Sequence, residues 1–214
     1  VPAAAMAVFA NAGQICSAGT RLFVQRTIHD EFMERLAAFT KTIKVGDPLD
    51  PTTQMGPVVS LPQMDKILGF IASPNTQGAR PLAGGNRMSG AGYDAGYFIE
   101  PTIFTHVADD MTIAREEIFG PVLSAFTFEH VEEVLTRANA TEFGLGGGVW
   151  TRDLATAHRM ARGIRAGSVW VNCYQMLDPA VPFGGYRMSG FGRESGAHHI
   201  EDYLETKAVW INLD

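Results

Sequence analysis

Apolar positions along the chain switch repeatedly between helical and strand spacing. Residues 3–11 form a small-residue, helix-compatible run that breaks at Gly13. Residues 21–26 are short and β-leaning. A helical pattern follows over 30–43, where Phe32, Leu36, Phe39 and Ile43 recur on one face. Residues 46–57, rich in Pro, Asp and Thr, predict a loop. Met64, Ile67, Leu68 and Ile71 mark a second amphipathic helix, closed by Pro74-Asn75. Past the glycine-rich stretch 84–96, residues 98–107 read as a strand that Pro101 partly demotes, and 122–128 as another. A helix over 131–138, a strand over 145–151, a helix over 154–164 and a buried strand over 168–172 follow. Beyond Asn172 comes a Pro/Gly-rich segment, then a helix around 198–204 and a terminal strand over 207–213.

Repeated strand–helix–strand succession predicts an α/β fold with a largely parallel sheet flanked by helices. The 214 residues, 46% hydrophobic and 19% charged, support one sizeable core. A formal charge of -6, with no basic stripe, argues against a nucleic-acid partner. No apolar run is long enough to span a bilayer, and no signal-peptide pattern opens the chain. The two cysteines, Cys16 and Cys173, make neither a disulfide framework nor a zinc motif, so free thiols in a reducing, cytoplasmic setting are expected. His198 and His199 beside Glu201 and Asp202 lack the i, i+4 spacing of a metal pair, and no metal is expected.

Three segments carry candidate chemistry. In Phe9-Ala10-Asn11-Ala12-Gly13-Gln14-Ile15-Cys16-Ser17-Ala18-Gly19-Thr20, a cysteine flanked by glycines follows a helix. Such a sulfur can stand exposed where backbone N–H groups are free to hold an oxyanion. On those residues alone the other reading, a small buried side chain in a helix-to-strand turn, stays open. In Glu116-Glu117-Ile118-Phe119-Gly120-Pro121 an acidic pair precedes an aromatic residue and a Gly-Pro turn. The third, Pro182-Phe183-Gly184-Gly185, leads into Gly190, Gly192 and Gly196, whose spacing does not fit the G-x-G-x-x-G dinucleotide fingerprint.

Together these strings resemble the aldehyde dehydrogenase superfamily, and the resemblance runs from the cysteine motif to the terminal strand. It implies the catalytic-domain fold of that family and an NAD(P)-dependent oxidation of an aldehyde to a carboxylic acid. Cys16 would be the nucleophile, passing through a thiohemiacetal and a thioester, with its own N–H as half of the oxyanion hole. NAD or NADP would be the cofactor, Glu117 accepting hydrogen bonds from the nicotinamide ribose and Phe119 packing beside the nicotinamide. Ala10, Ile15, Ser17, Leu177 and Phe183 would line the substrate tunnel, where the small Ala10 leaves room for a bulkier aldehyde. Cys173 takes no catalytic role. The same resemblance divides the chain into a catalytic domain (1–188), a return segment and helix (189–203) and an oligomerisation strand (204–214). The full-length protein is then expected to be a homodimer or homotetramer.

In the family, the glutamate that activates water, the asparagine that completes the oxyanion hole and the adenosine-binding elements precede the cysteine motif. They would lie outside this chain, which alone is expected to be inactive. Two alternatives remain: a non-enzymatic structural or assembly module, and a Cys-dependent acyl hydrolase, for which no partner histidine accompanies the cysteine motif.

Overall fold

The computed structural model describes residues 1–73 and 78–214. Apart from short 3₁₀ segments, the α-helices and strands among the described residues follow in the order α1 (Pro2–Phe9), β1 (Arg21–Gln25), α2 (His29–Thr40), α3 (Leu61–Ala72), β2 (Arg80–Ala83), β3 (Thr102–Thr105), α4 (Thr112–Arg115), β4 (Val122–Phe128), α5 (Val131–Asn139), β5 (Gly146–Val149), α6 (Leu154–Gly163) and β6 (Ser168–Val171). The main sheet has the order β1-β4-β3-β2. β1 and β3 run parallel to β4, with Phe23 opposite Phe126 and Ile103 opposite Leu123, and β2 is antiparallel to β3. β5 and β6 form a separate parallel pair. The expected α/β class, a mostly parallel sheet flanked by helices, is the observed one.

Burial explains the central strands. All four residues of β3 and the first five of β4 are buried, as expected where helices cover both faces of a parallel sheet. Val8, Phe9, Leu36, Met64 and Ile67 bring α1, α2 and α3 onto this core, each 2% exposed or less. Ser124, the fully buried polar residue of β4, is 1% exposed and donates its hydroxyl to the Ile113 carbonyl of α4 at 2.9 Å. Arg21 and Arg137 both lie over the stacked Phe23–Phe126 pair. Arg21 also donates to the Arg137 and Ala138 carbonyls at the end of α5, which fastens that helix to the sheet.

Several expected boundaries shift for physical reasons. The first helix ends at Phe9, because Asn11, Ala12 and Gly13 all take left-handed backbone. α2 buries His29, Met33, Leu36 and Thr40, while Phe32 and Phe39 pack only at the edge of that face; Ile43 is buried beyond the helix end. Helix α3 starts under a Ser60 cap, whose hydroxyl accepts from the Gln63 N–H at 3.3 Å. Its expected stop at Pro74-Asn75 lies outside the described residues. β3 begins only after Pro101, which has no N–H for a ladder. β2 was not expected: it is an exposed edge strand carrying Pro81, the placement in which a strand proline is tolerated.

Residues 204–214 are exposed throughout and form no ladder with the described residues, so the expected strand over 207–213 is not formed; a strand needs a partner for its N–H and C=O groups. The helix expected before it is a 3₁₀ segment, Ala197–Tyr203. Among the described residues no helix is long and apolar enough to cross a membrane.

Ser124→Ala would leave the Ile113 carbonyl buried without its donor. We expect a loss of about 1–2 kcal/mol in urea-induced unfolding; an unchanged midpoint would show that this hydroxyl contributes nothing to the β4–α4 contact.

Candidate active site

The cysteine segment is held by backbone shape before it is held by side chains. Asn11 (φ 51°), Ala12 (φ 54°) and Gly13 (φ 70°) are consecutive left-handed residues, a conformation that costs free energy for residues bearing a Cβ. Gly13 presses on the Gly120 carbonyl so closely that a Cβ there would lie 2.0 Å from the oxygen. No other residue fits. The first two candidate motifs therefore touch, backbone to backbone, at Gly13 and Gly120.

From this anchor the chain makes a turn in which the Ala18 N–H donates to the Ile15 carbonyl at 2.9 Å, with Cys16 and Ser17 at its corners. Cys16 is exposed and is not in a disulfide, so its side chain does not serve the core. Neither Cys16 nor Ser17 donates its backbone N–H to an acceptor among the described residues. Around this corner the chain is pinned on each side. The Gly19 N–H donates to the Ala7 carbonyl, the Ser124 N–H to the Thr20 carbonyl, and the Val59 N–H to Gln14 Oε1 at 3.0 Å.

The Glu117–Phe119 stretch is carried by α3. Gln63 Nε2 donates to the Ile118 and Phe119 carbonyls at 3.2 and 2.8 Å, and Lys66 Nζ to the Glu117 carbonyl at 3.1 Å. Phe119, half-buried, is held in left-handed backbone at φ 56°. The Glu117 carboxylate is exposed and has no hydrogen-bonded partner among the described residues. Two free acceptor oxygens beside an aromatic ring suit the vicinal hydroxyls of a ribose.

Of the tunnel candidates, Ile15 and Ala10 are half-buried and Ser17 is buried. Leu177 and Phe183 share an open recess of about 220 Å³ with Asp178, Pro179, Val181, Glu194 and Ser195. Phe183 and Glu194 exchange two backbone hydrogen bonds of 2.7 Å, and Arg193 donates to the Gly185 and Gly192 carbonyls. The structure thus forms two clusters, the cysteine corner with the Gly120 turn and the Leu177–Phe183 recess. Tyr174 lies between them in sequence and reaches the cysteine corner. Its hydroxyl donates to the Ser17 carbonyl at 3.0 Å, and its neighbour in the aromatic stack, Trp170, donates Nε1 to the Met176 carbonyl at 2.8 Å. Sequence reasoning missed Tyr174, Gln63 and Lys66. The single available signal was an aromatic residue just past the Asn172-Cys173 strand end. Cys173 itself is half-buried just beyond β6, and no group of three or more metal-binding side chains occurs among the described residues.

Gly13→Ala is expected to destabilise the chain by about 3 kcal/mol or more, since it adds overlap with the Gly120 carbonyl to left-handed strain. Thermal unfolding within a degree or two of the parent would refute the close approach.

Residues 1–209 match the family model described as Aldehyde dehydrogenase family. The chain is 50% identical over 205 residues to betaine aldehyde dehydrogenase of Brucella anthropi, an overlap of 96% of this chain and 42% of that protein. It is 51% identical over 203 residues to the betaine aldehyde dehydrogenase of Mesorhizobium japonicum, covering 95% and 42%. Among solved structures, an indole-3-acetaldehyde dehydrogenase complexed with NAD+ superposes with a TM-score of 0.93 at 46% identity, over 99% of this chain and 42% of that one. The NAD+ complex of an aldehyde dehydrogenase from Bacillus cereus gives 0.94 at 42% identity, over 100% and 43%. The chain thus spans about two fifths of the length of these relatives.

Proposed function

The chain belongs to the aldehyde dehydrogenase family, and on that premise we propose that it carries the nucleophile of an NAD(P)-dependent oxidation of aldehydes to carboxylic acids. The observation that carries this reading is the exposed Cys16 on a pinned turn whose adjacent N–H groups have no acceptor among the described residues. The Cys16 sulfur bonds to the aldehyde carbon, and the carbonyl π electrons move to oxygen. The Cys16 N–H, in a fixed position, holds the resulting oxyanion without reorganising. A bound nicotinamide supplies the hydride acceptor. What remains on Cys16 is a thioester, and water then displaces the sulfur to release the acid.

Glu117 and Phe119 are the residues of this chain that would hold the cofactor. The unpaired Glu117 carboxylate would take the nicotinamide-ribose hydroxyls, and α3 fixes its backbone through Gln63 and Lys66. Ala10, Ile15, Ser17, Leu177 and Phe183 would line the approach of the aldehyde, with the small Ala10 widening it. Residues 1–188 form the catalytic unit in this reading and 189–203 its return segment. The exposed tail 204–214 contributes a strand to another subunit, because Trp210 (94% exposed) and Ile211 (76%) have no cover in the chain.

In the full-length enzyme, Cys16→Ala is expected to abolish turnover while leaving cofactor affinity within about threefold, because only the covalent intermediate is lost. Cys173→Ala should cost stability at most. Steady-state kinetics and NAD titration on the two variants test this, and the reverse pattern would show the nucleophile misassigned.

Truncation after Tyr203 should lower the association state seen in sedimentation. A full-length protein whose oligomeric state survives that truncation does not assemble through the tail.

A further inference from the structure

Tyr174 is placed as a built tether rather than as a filler of core space. The Asn172 N–H donates to the Val149 carbonyl at 2.9 Å, and the Asn172 side chain makes two 3.0 Å hydrogen bonds with the Thr151 backbone. These fix the chain two residues before Tyr174. Two residues after it, the Met176 carbonyl is held by Trp170 Nε1. The tyrosine ring then packs against Trp170, with centroids 5.0 Å apart, and stacks on Trp150 at 6.3 Å. Gly148 of β5 clears the space: a Cβ there would lie 2.5 Å from the Tyr174 ring. Burial pushes the Tyr174 hydroxyl up to about 12, so near neutral pH it keeps its proton and remains a donor.

That donor reaches one acceptor, the Ser17 carbonyl, at 3.0 Å. The same peptide unit is held from its other end by the Ala18 N–H donating to the Ile15 carbonyl at 2.9 Å. With oxygen and hydrogen both engaged, the Ser17–Ala18 peptide plane cannot rotate without breaking one of the two bonds. The preceding N–H groups, those of Cys16 and Ser17, have no such partner. The Ile15 carbonyl that accepts the Ala18 N–H lies in the same peptide plane as the Cys16 N–H, so the turn holds that plane as well, and the Ser17 N–H lies between the two held planes.

We propose that Tyr174 is a positioning residue for Cys16: its hydroxyl, by holding the Ser17 carbonyl, aims the Cys16 and Ser17 N–H groups at the oxygen that becomes negative when the thiol adds to a carbonyl. This rests on reading Cys16 as the nucleophile. Addition puts sulfur on the carbonyl carbon and, once solvent has supplied the proton lost from the thiol, leaves a neutral thiohemiacetal. No oxidant is required. Donors already directed at the oxyanion make that step easier, whereas displacement at a saturated carbon develops no oxyanion and gains nothing from them.

That difference provides the test. In the 214-residue chain carrying Cys173→Ala, Tyr174→Phe keeps the ring and removes the hydroxyl alone. Cys16 is challenged with 4-nitrobenzaldehyde, scored as the thiohemiacetal by absorbance, and separately with iodoacetamide, scored by mass. Removing the hydroxyl should slow aldehyde addition by roughly five- to tenfold while leaving the alkylation rate within about twofold, the size expected for one hydrogen bond. Amide exchange at Ala18 should quicken by a similar factor of about five to ten, with the rest of the sheet unchanged. Equal losses with both electrophiles, or no change with either and normal Ala18 protection, would overturn the positioning role. If the unsubstituted chain forms no aldehyde adduct at Cys16, the nucleophile reading fails. The tether is then judged on Ala18 exchange, where unaltered protection in Tyr174→Phe overturns it.

Discussion

The contact between Gly13 and the Gly120 carbonyl is the constraint on which the rest of the site depends. It is a backbone-to-backbone approach with room for no side chain at residue 13. To reach it the chain leaves α1 abruptly and runs through three left-handed residues, two of which carry a Cβ. That strain is sustained by its surroundings: Val8 and Phe9 are fully buried before the turn, Ala12 is 1% exposed within it, and Ile67 of α3 lies directly beneath Gly120. A turn held this way has one conformation, because each alternative would lift a buried side chain out of the core.

From that anchor, parts of the chain far apart in sequence fix the neighbouring groups one at a time. Gln63 and Lys66 of α3 hold three successive carbonyls, those of Glu117, Ile118 and Phe119. Gln14 takes the Val59 N–H just before that helix. Tyr174 takes the Ser17 carbonyl from the far side. Each hydrogen bond is worth only about 1 kcal/mol net. Their effect is geometric. They engage carbonyls and N–H groups on either side of the cysteine and leave free the Cys16 and Ser17 N–H groups, which a developing oxyanion would need.

The fold was legible in the sequence where a period met a buried surface. β4 was read at its observed limits, and β6 and α6 within a residue or so, because Val, Ile and Leu runs and 3.6-residue spacing report burial directly. Legibility failed where the determinant was not periodic. The early end of α1 comes from a close contact with Gly120, over a hundred residues along the chain, and the face of α2 is turned by about one residue relative to its apolar pattern. Within the candidate site, Cys16, Glu117 and Phe119 stood out because they sit in long local strings. Tyr174 did not, since what distinguishes it is a hydrogen bond to a residue 157 positions away. No local pattern encodes such a bond.

The two halves of the site differ in what they supply. The cysteine corner is fixed in shape, but its sulfur faces water, where charge stabilisation by N–H dipoles is strongly attenuated. Leu177, Val181 and Phe183 give the recess an apolar wall beside Asp178, Glu194 and Ser195, and it is open: Leu177 is 68% and Val181 59% exposed. Geometry at the first and apolar surface at the second become effective together only when water is excluded from the space between them. Phe183 cannot provide that cover, because its backbone is committed to Glu194 and the following glycine is locked by close packing against Arg193. The loop after Phe183 is itself fastened to the residues just before β5, the Tyr186 N–H donating to the Gly144 carbonyl and the Met188 N–H to the Glu142 carbonyl. On the proposed reading of Cys16 as the nucleophile, the chain contributes direction at the reacting atoms, while the low dielectric that makes direction count comes from whatever covers that face.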